Sequence, residues 1–246
     1  MKKAQINMFI IMGIVIAAIL GISVFAGMRI NEKKADIRIE EISLSPGDIA
    51  PVKTFAENTL FSLSEDFIFN QVGNRLHDPL PGMDYLNDLI RTNIEANFHP
   101  RLDLSEFEEM EIKMNEIEQT TVKINQDDIM ISIKDPWHIK IGDNKRTIDI
   151  FRANLFIRLK IVHEIASRLK QKAENFPTPY RLSRSDCQDI SDKGGQDPSG
   201  SDYISAEFDQ AQETITITDR YTEDFYFQKP FVFKFKEGNI LDSSCP

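Results

Sequence analysis

The chain has 246 residues, of which 41% are hydrophobic and 28% are charged, so it can form one folded core in addition to a membrane segment. Its 39 acidic residues outnumber its 29 basic residues, and the formal net charge of −10 argues against general nucleic-acid binding, because an acidic surface repels phosphate backbones. The two cysteines have no CxxC partner, which argues against a zinc site.

The N-terminal segment is predicted to be a transmembrane helix. Residues 6–28 are apolar apart from Asn7 and Ser23, and as a helix they would extend about 34 Å, enough to cross a bilayer core. A cleavable secretion signal has a shorter apolar region, so we expect residues 1–28 to be an uncleaved leader and anchor in a single-pass protein of the cell membrane. Lysine and arginine residues flank this run on both sides and do not decide its orientation. The very short N-terminal tail favours a signal-anchor with the domain outside the cytoplasm.

Small residues recur along one side of this predicted helix. Gly13, Ala17 and Gly21 are spaced four residues apart and would therefore line one face, where another membrane helix could approach closely. They form a possible helix-association face. The alternative is that these residues reflect the ordinary composition of a membrane helix that has no fixed partner.

After the anchor, residues 29–47 are predicted to form an extended juxtamembrane segment that ends at Pro46-Gly47, and residues 48–246 to form one domain. Val52, Leu60 and Leu63 have helical spacing in the first predicted helix, which ends near Gly73. A second helix is predicted to end before Pro100.

The middle and C-terminal parts of the chain alternate between strand and helix patterns. "TTVKINQDDIMISIK" and "WHIKIGDNKRTIDIF" each predict a hairpin, and a third helix follows, carried by apolar residues between Leu155 and Leu169. Residues 177–202 are rich in Ser, Asp, Gly and Pro and are predicted to be a mobile loop. "YISAEFD", "TITITD" and "FYFQKPFVFKFK" predict further strands. The expected fold is therefore α+β, with antiparallel strands and about three amphipathic helices.

No motif with recognisable chemistry emerges from the sequence. His163-Glu164 lacks the second histidine of an HExxH zinc motif, because Ser167 occupies that position, and no G-x-S-x-G sequence supplies a nucleophile. We therefore expect no catalytic residue, no metal and no cofactor. Cys187 and Cys245 could form one disulfide if the domain lies outside the cytoplasm, and two free thiols are the alternative.

Several segments together resemble a group of single-pass membrane proteins of small archaea whose activity is not known. They are the opening "KKAQINMFIIMGIVIAAIL", the helix "PVKTFAENTLFSLSEDFIFNQVG", and the hairpin and helix "PWHIKIGDNKRTIDIFRANLFIRLKIVHEIASRL". The resemblance implies a membrane-anchored α+β domain and supplies no activity. Members of the group have cysteines where this chain has Asn58 and Asn97, so a disulfide between those helices is not carried over.

The opening also resembles, more faintly, the leader of archaeal pilin-like proteins. In such proteins the chain is cut just before a glutamine, which here would be Gln5, and the apolar helix becomes the core of a filament. Phe9 stands where such subunits often have a glutamate. The sequence thus leads to two hypotheses: a non-enzymatic, extracytoplasmic domain that organises the envelope or binds another envelope protein, and a pilin-like filament subunit that self-associates through its N-terminal helix.

Overall fold

The computed structural model describes residues 49–176, 178–197, 200–224, 227 and 229–245. The predicted anchor (1–28) and juxtamembrane segment (29–47) lie outside these residues. Within the described part of the chain, no helix is both long enough and apolar enough to cross a bilayer. The α+β class is confirmed, with four α-helices and antiparallel-rich sheets in the described residues, where about three helices were expected.

Two long helices open the domain. Helix α1 spans Ala50–Phe67, has a proline in its first turn, and continues into a π-helical segment, Ile68–Gly73. Pro51 suits this position because the first backbone N–H groups of a helix have no partner within it. Helix α2 spans Met83–Arg101 and buries one apolar stripe, formed by Leu86, Ile90, Ile94 and Phe98.

The first sheet consists of β2 (Glu111–Met114), β3 (Gln119–Ile124), β4 (Ile129–Ile141) and β5 (Asn144–Leu155). Strand β4 is its centre: β5 pairs along one edge, while β3 and β2 pair with successive stretches of the other edge. Helix α1 packs on β5 and helix α2 on β3. Both predicted hairpins form, and they share β4: β3 pairs with its first half, and β5 pairs back along it. The register of β4 against β5 shifts between Lys134 and Trp137, so Asp135-Pro136 forms a bulge within this one continuous strand.

The second sheet has the order β1-β8-β7-β6-β9. Its strands are β1 (Leu76–His77), β6 (Ile204–Asp209), β7 (Thr214–Asp219), β8 (Phe231–Lys236) and β9 (Ser243–Cys245). Helix α3 (Leu159–Asn175) packs on β7, and helix α4 (Arg184–Gly194) packs on β6. Each sheet therefore has two helices on one of its faces.

Helix α4 lies inside the segment predicted to be a mobile loop at 177–202. Ser183 starts this helix with a capping box, in which its side chain accepts a bond from the Asp186 N–H and Asp186 accepts one from the Ser183 N–H. The helix buries Asp186, Ile190 and Gly194, of which only Ile190 is a large apolar residue. The loop prediction failed because this short helix has almost no hydrophobic period.

Candidate functional site: the basic sheet face

Among the described residues, helices cover one face of the first sheet and leave the other face open. Along β4 the odd-numbered residues, including Ile131, Ile133 and Trp137, are buried beneath the helices, whereas the even-numbered residues, including Met130, are exposed or half-buried. Side chains alternate between the two faces of a strand, so the even-numbered residues of β4 and their partners on neighbouring strands share the face opposite the helices.

This uncovered face, which we call the basic sheet face, concentrates positive charge. The registers of β2, β3 and β5 against β4 place on it five lysines, one arginine, one histidine and one glutamate: Lys113, Lys123, Lys134, Lys140, Lys145, Arg152, His138 and Glu111. Six permanent cations thus share this face with Glu111 and with two carboxylates near Lys134, Glu118 and Asp149, in a chain whose net charge is −10. The net charge of the chain therefore does not describe this surface.

Some of these cations lie next to one another. Lys140 of β4 is directly opposite Lys145 of β5. Like charges at opposed positions of a sheet are destabilising. The sheet therefore carries a repulsion that an anionic partner would relieve.

Few carboxylates neutralise the face. Lys134 Nζ lies 2.6 Å from Glu118, whose hydrogen bond and charge raise the pKa of Lys134, and Lys140 Nζ lies 3.3 Å from Glu111. Among the described residues, no carboxylate is within ion-pair distance of the other four cations, Lys113, Lys123, Lys145 and Arg152. Most of the positive charge on this face is therefore directed to solvent.

Two large apolar side chains project from the same face. Met130 is 45% exposed and is flanked by Lys123 and Asn154, while Ile150 is 38% exposed and lies opposite Lys134. Apolar groups interspersed with cations suit contact with a surface that offers both negative charge and hydrocarbon.

A cleft of about 450 Å³ between α3 and α4 is the main competing site. Its walls include Arg168, Lys172, Asp189 and the half-exposed ring of Phe176. Arg168 lies 3.2 Å from Asp189, and Lys172 contacts both Asp186 and Asp189. Because both cations of this cleft already have carboxylate partners, the cleft offers less to an anionic ligand than the basic sheet face does.

Asp186, which pairs with Lys172 of this cleft, has a structural role. Burial opposes the charged form of Asp186, but hydrogen bonds from Lys172, Ser183 and Tyr180 outweigh burial and lower the pKa of Asp186 to about 2. Burial and the same hydrogen bond to Asp186 raise the pKa of Tyr180. This network holds the start of α4 against α3.

A histidine–aspartate pair ties α2 to the first sheet. His99 Nε2 and Trp137 Nε1 each lie 2.6 Å from Oδ2 of the fully buried Asp135, at the bulge of β4. Oδ1 of Asp135 has no hydrogen-bond partner. In the described part of the chain, no serine, threonine or cysteine makes a hydrogen bond to His99, so the pair lacks a nucleophile of the kind that a catalytic triad requires.

The structure describes the two cysteines that the sequence analysis named, but not the three small residues of the predicted helix-association face. The structure joins Cys187 of α4 and Cys245 of β9 by a disulfide, with 5.2 Å between their Cα atoms. Gly13, Ala17 and Gly21 lie outside the described residues. No group of three or more His, Cys, Asp or Glu side chains among the described residues is arranged to hold a metal ion.

The basic sheet face itself was missed from the sequence. The alternation in "DDIMISIK" identifies which β4 residues face solvent, but the lysines come from four strands separated along the chain. Only the registers of those strands bring the charges together.

Comparison with known proteins finds no matching family model, no similar curated protein and no similar solved structure.

Proposed function

We propose that this chain is a non-enzymatic, membrane-anchored domain that faces the exterior of the cell and binds an anionic component of the envelope through its basic sheet face. The observation that carries the proposal is an excess of six cations over three carboxylates on one open sheet face of an otherwise acidic chain. A surface of this kind attracts and orients an oppositely charged partner.

The disulfide supports the exterior location. Disulfides persist mainly in oxidising compartments, and a bond between Cys187 and Cys245 fits a domain held outside the cytoplasm. The proposed anchor is the uncharged run at residues 6–28, whose length matches a bilayer core.

The use of the buried polar groups supports binding rather than catalysis. Each of three buried carboxylates accepts a hydrogen bond from a side chain outside its own strand or helix: Asp135 from His99, Asp186 from Lys172 and Tyr180, and Asp219 from Arg158. Their hydrogen bonds thus hold helices in place against the sheets and, at Asp186, hold α4 against α3. The alternative of a pilin-like filament depends on Gly13, Ala17 and Gly21, and no contact among the described residues favours it.

A charge-reversal experiment tests the proposal. The full chain in a neutral detergent is titrated into fluorescently labelled poly-L-glutamate, and its affinity is compared with that of the triple variant Lys113→Glu, Lys123→Glu, Lys145→Glu. We expect at least a tenfold weaker affinity for this face variant, and a shallower dependence of affinity on salt, because fewer ion contacts remain to be screened.

The matched control is the triple variant Lys160→Glu, Arg181→Glu, Arg184→Glu. It changes the net charge by the same amount at exposed positions of the second half of the domain. The control should bind poly-L-glutamate within about twofold of the wild type. Equal losses in the two triple variants would mean that only net charge matters, and the proposal would then be wrong.

A further inference from the structure

We propose that the anionic partner of the basic sheet face is the lipid surface of the bilayer in which the chain is anchored. This inference rests on the proposed function and narrows it from any acidic envelope component to anionic lipid headgroups. Three conditions must hold. The face must be oriented toward the bilayer, it must suit lipid better than a purely polar acidic partner, and the segment between anchor and domain must be long enough to allow the contact.

The charge distribution gives the domain a preferred orientation at such a surface. With six cations on one face, the remainder of the chain is more acidic than the net charge of −10. Near an anionic bilayer the basic sheet face is attracted and the other surfaces are repelled, with both forces confined to about one Debye length, roughly 8–10 Å. The excess of cations on this face therefore favours close contact through it.

The exposed apolar side chains distinguish lipid from a purely polar partner. Met130 and Ile150 project among the lysines, and thioether and aliphatic groups gain free energy when they leave water for the acyl boundary. An acidic polymer would satisfy the cations and leave these two groups in water. A headgroup layer with hydrocarbon beneath it accommodates both.

The dimensions of the face and the tether allow the contact. Strand β4 has 13 residues and is therefore about 40 Å long, so the face can cover several lipid headgroups at once. Twenty residues separate the predicted membrane helix from Ile49, and fully extended they would reach at most about 70 Å. Tethering converts contact with the bilayer into an intramolecular step with a high effective concentration.

Depth-dependent quenching tests the inference. The full chain is reconstituted into vesicles that contain brominated phosphatidylcholine, with or without 30% phosphatidylglycerol, and a fluorophore is attached to Asn154→Cys. Asn154 is exposed and lies opposite Met130 on the basic sheet face. Because Cys187 and Cys245 are bonded to each other, the added cysteine is the thiol that reacts with the label.

We expect bromine to quench the label at Asn154→Cys by at least half in anionic vesicles, and by far less in neutral vesicles or in 1 M NaCl. The control label at Ala96→Cys is on an exposed position of α2, on the opposite side of the sheet, and should remain unquenched in all vesicles. The face variant with Lys113→Glu, Lys123→Glu and Lys145→Glu should lose most of the quenching at Asn154→Cys. Fluorescence of the single tryptophan, Trp137, checks that each variant is folded.

Two outcomes would overturn the inference in distinguishable ways. If Asn154→Cys is unquenched in anionic vesicles while poly-L-glutamate still binds through the face, the partner is an acidic protein, and the proposed function stands without lipid. If Asn154→Cys is unquenched and the face variant also binds poly-L-glutamate as the wild type does, both proposals fall. Equal quenching of the labels at Asn154→Cys and Ala96→Cys would mean that the face has no special contact with the bilayer.

Discussion

Arg158 and Asp219 form a buried, bidentate ion pair that joins the start of α3 to the end of β7. Arg158 Nε donates to Asp219 Oδ2 at 3.0 Å and Nη2 donates to Oδ1, while the remaining amino group bonds to the Gly194 carbonyl. The guanidinium carbon also lies 4.2 Å from the ring centre of Tyr221. The start of α3, the end of α4 and the end of β7 thus meet at the Arg158 side chain.

Asp219→Asn should lower the free energy of unfolding by about 3–5 kcal/mol, because it leaves the Arg158 charge buried without a counter-ion. Urea unfolding of the full chain, followed by Trp137 fluorescence, measures the change. The control is Asp66→Asn, which removes one partner of the exposed pair with Arg101 and should cost less than about 1 kcal/mol. A loss of under about 1 kcal/mol in Asp219→Asn as well would contradict the assigned role of the pair.

Reduction of the disulfide should destabilise the domain by up to about 4 kcal/mol, because the bond between Cys187 and Cys245 closes a loop with a sequence separation of 58 residues. The measurement is the unfolding midpoint with and without a phosphine reductant. The double variant Cys187→Ser, Cys245→Ser should be equally destabilised and insensitive to the reductant. An unchanged midpoint in the wild type would show that the bond contributes nothing to the stability of the fold.

The stability of the domain should depend on Asp186 at acid pH. Its pKa is about 2 in the folded chain and about 3.9 when unfolded, so its contribution is fully present above about pH 4 and is lost as the pH falls through 2. Relative to Asp186→Asn, the wild type should lose about 2 kcal/mol between pH 5 and pH 2. A gap between the two proteins that stays constant over this range would be evidence against the network around Asp186.

Gly73→Ala should destabilise the join between the π-helical segment and β8. A Cβ atom at Gly73 would lie 2.7 Å from the Val232 carbonyl oxygen and 2.8 Å from Phe231, closer than real contacts allow. We expect a loss of about 1–3 kcal/mol, as for other overpacked sites. Gly82→Ala is the matched control, because no atom lies within 4 Å of its added Cβ, and comparable losses in both variants would disprove the steric explanation.

Much of the fold could be predicted because the chain follows simple periods. The apolar spacing at Leu86, Ile90 and Ile94 predicts α2, and the alternation of Phe231, Phe233 and Phe235 predicts β8, because both patterns are carried by residues that the core buries. Helix α4 escaped prediction because it depends on the cap at Ser183 and on its disulfide to β9 rather than on an apolar stripe.

The basic sheet face could not be predicted because it depends on strand pairing over long sequence distances. Lys113 and Thr147 are both partners of His138, yet they are 34 positions apart in the chain. The net charge of the sequence averages over all surfaces and conceals the separation of charge between them. The predicted helix-association face at Gly13, Ala17 and Gly21 stays a prediction.

Photo-crosslinking in native membranes tests the basic sheet face most directly. A diazirine amino acid replaces Asn154 on the face or Ala96 on the opposite side, and the full chain is irradiated in the membranes of its own cells. We predict adducts to an anionic lipid from position 154 that 1 M NaCl suppresses, and no such adducts from position 96. Equal adduct yields at the two positions, or none at position 154, would contradict the account that the basic sheet face is where this domain binds its partner.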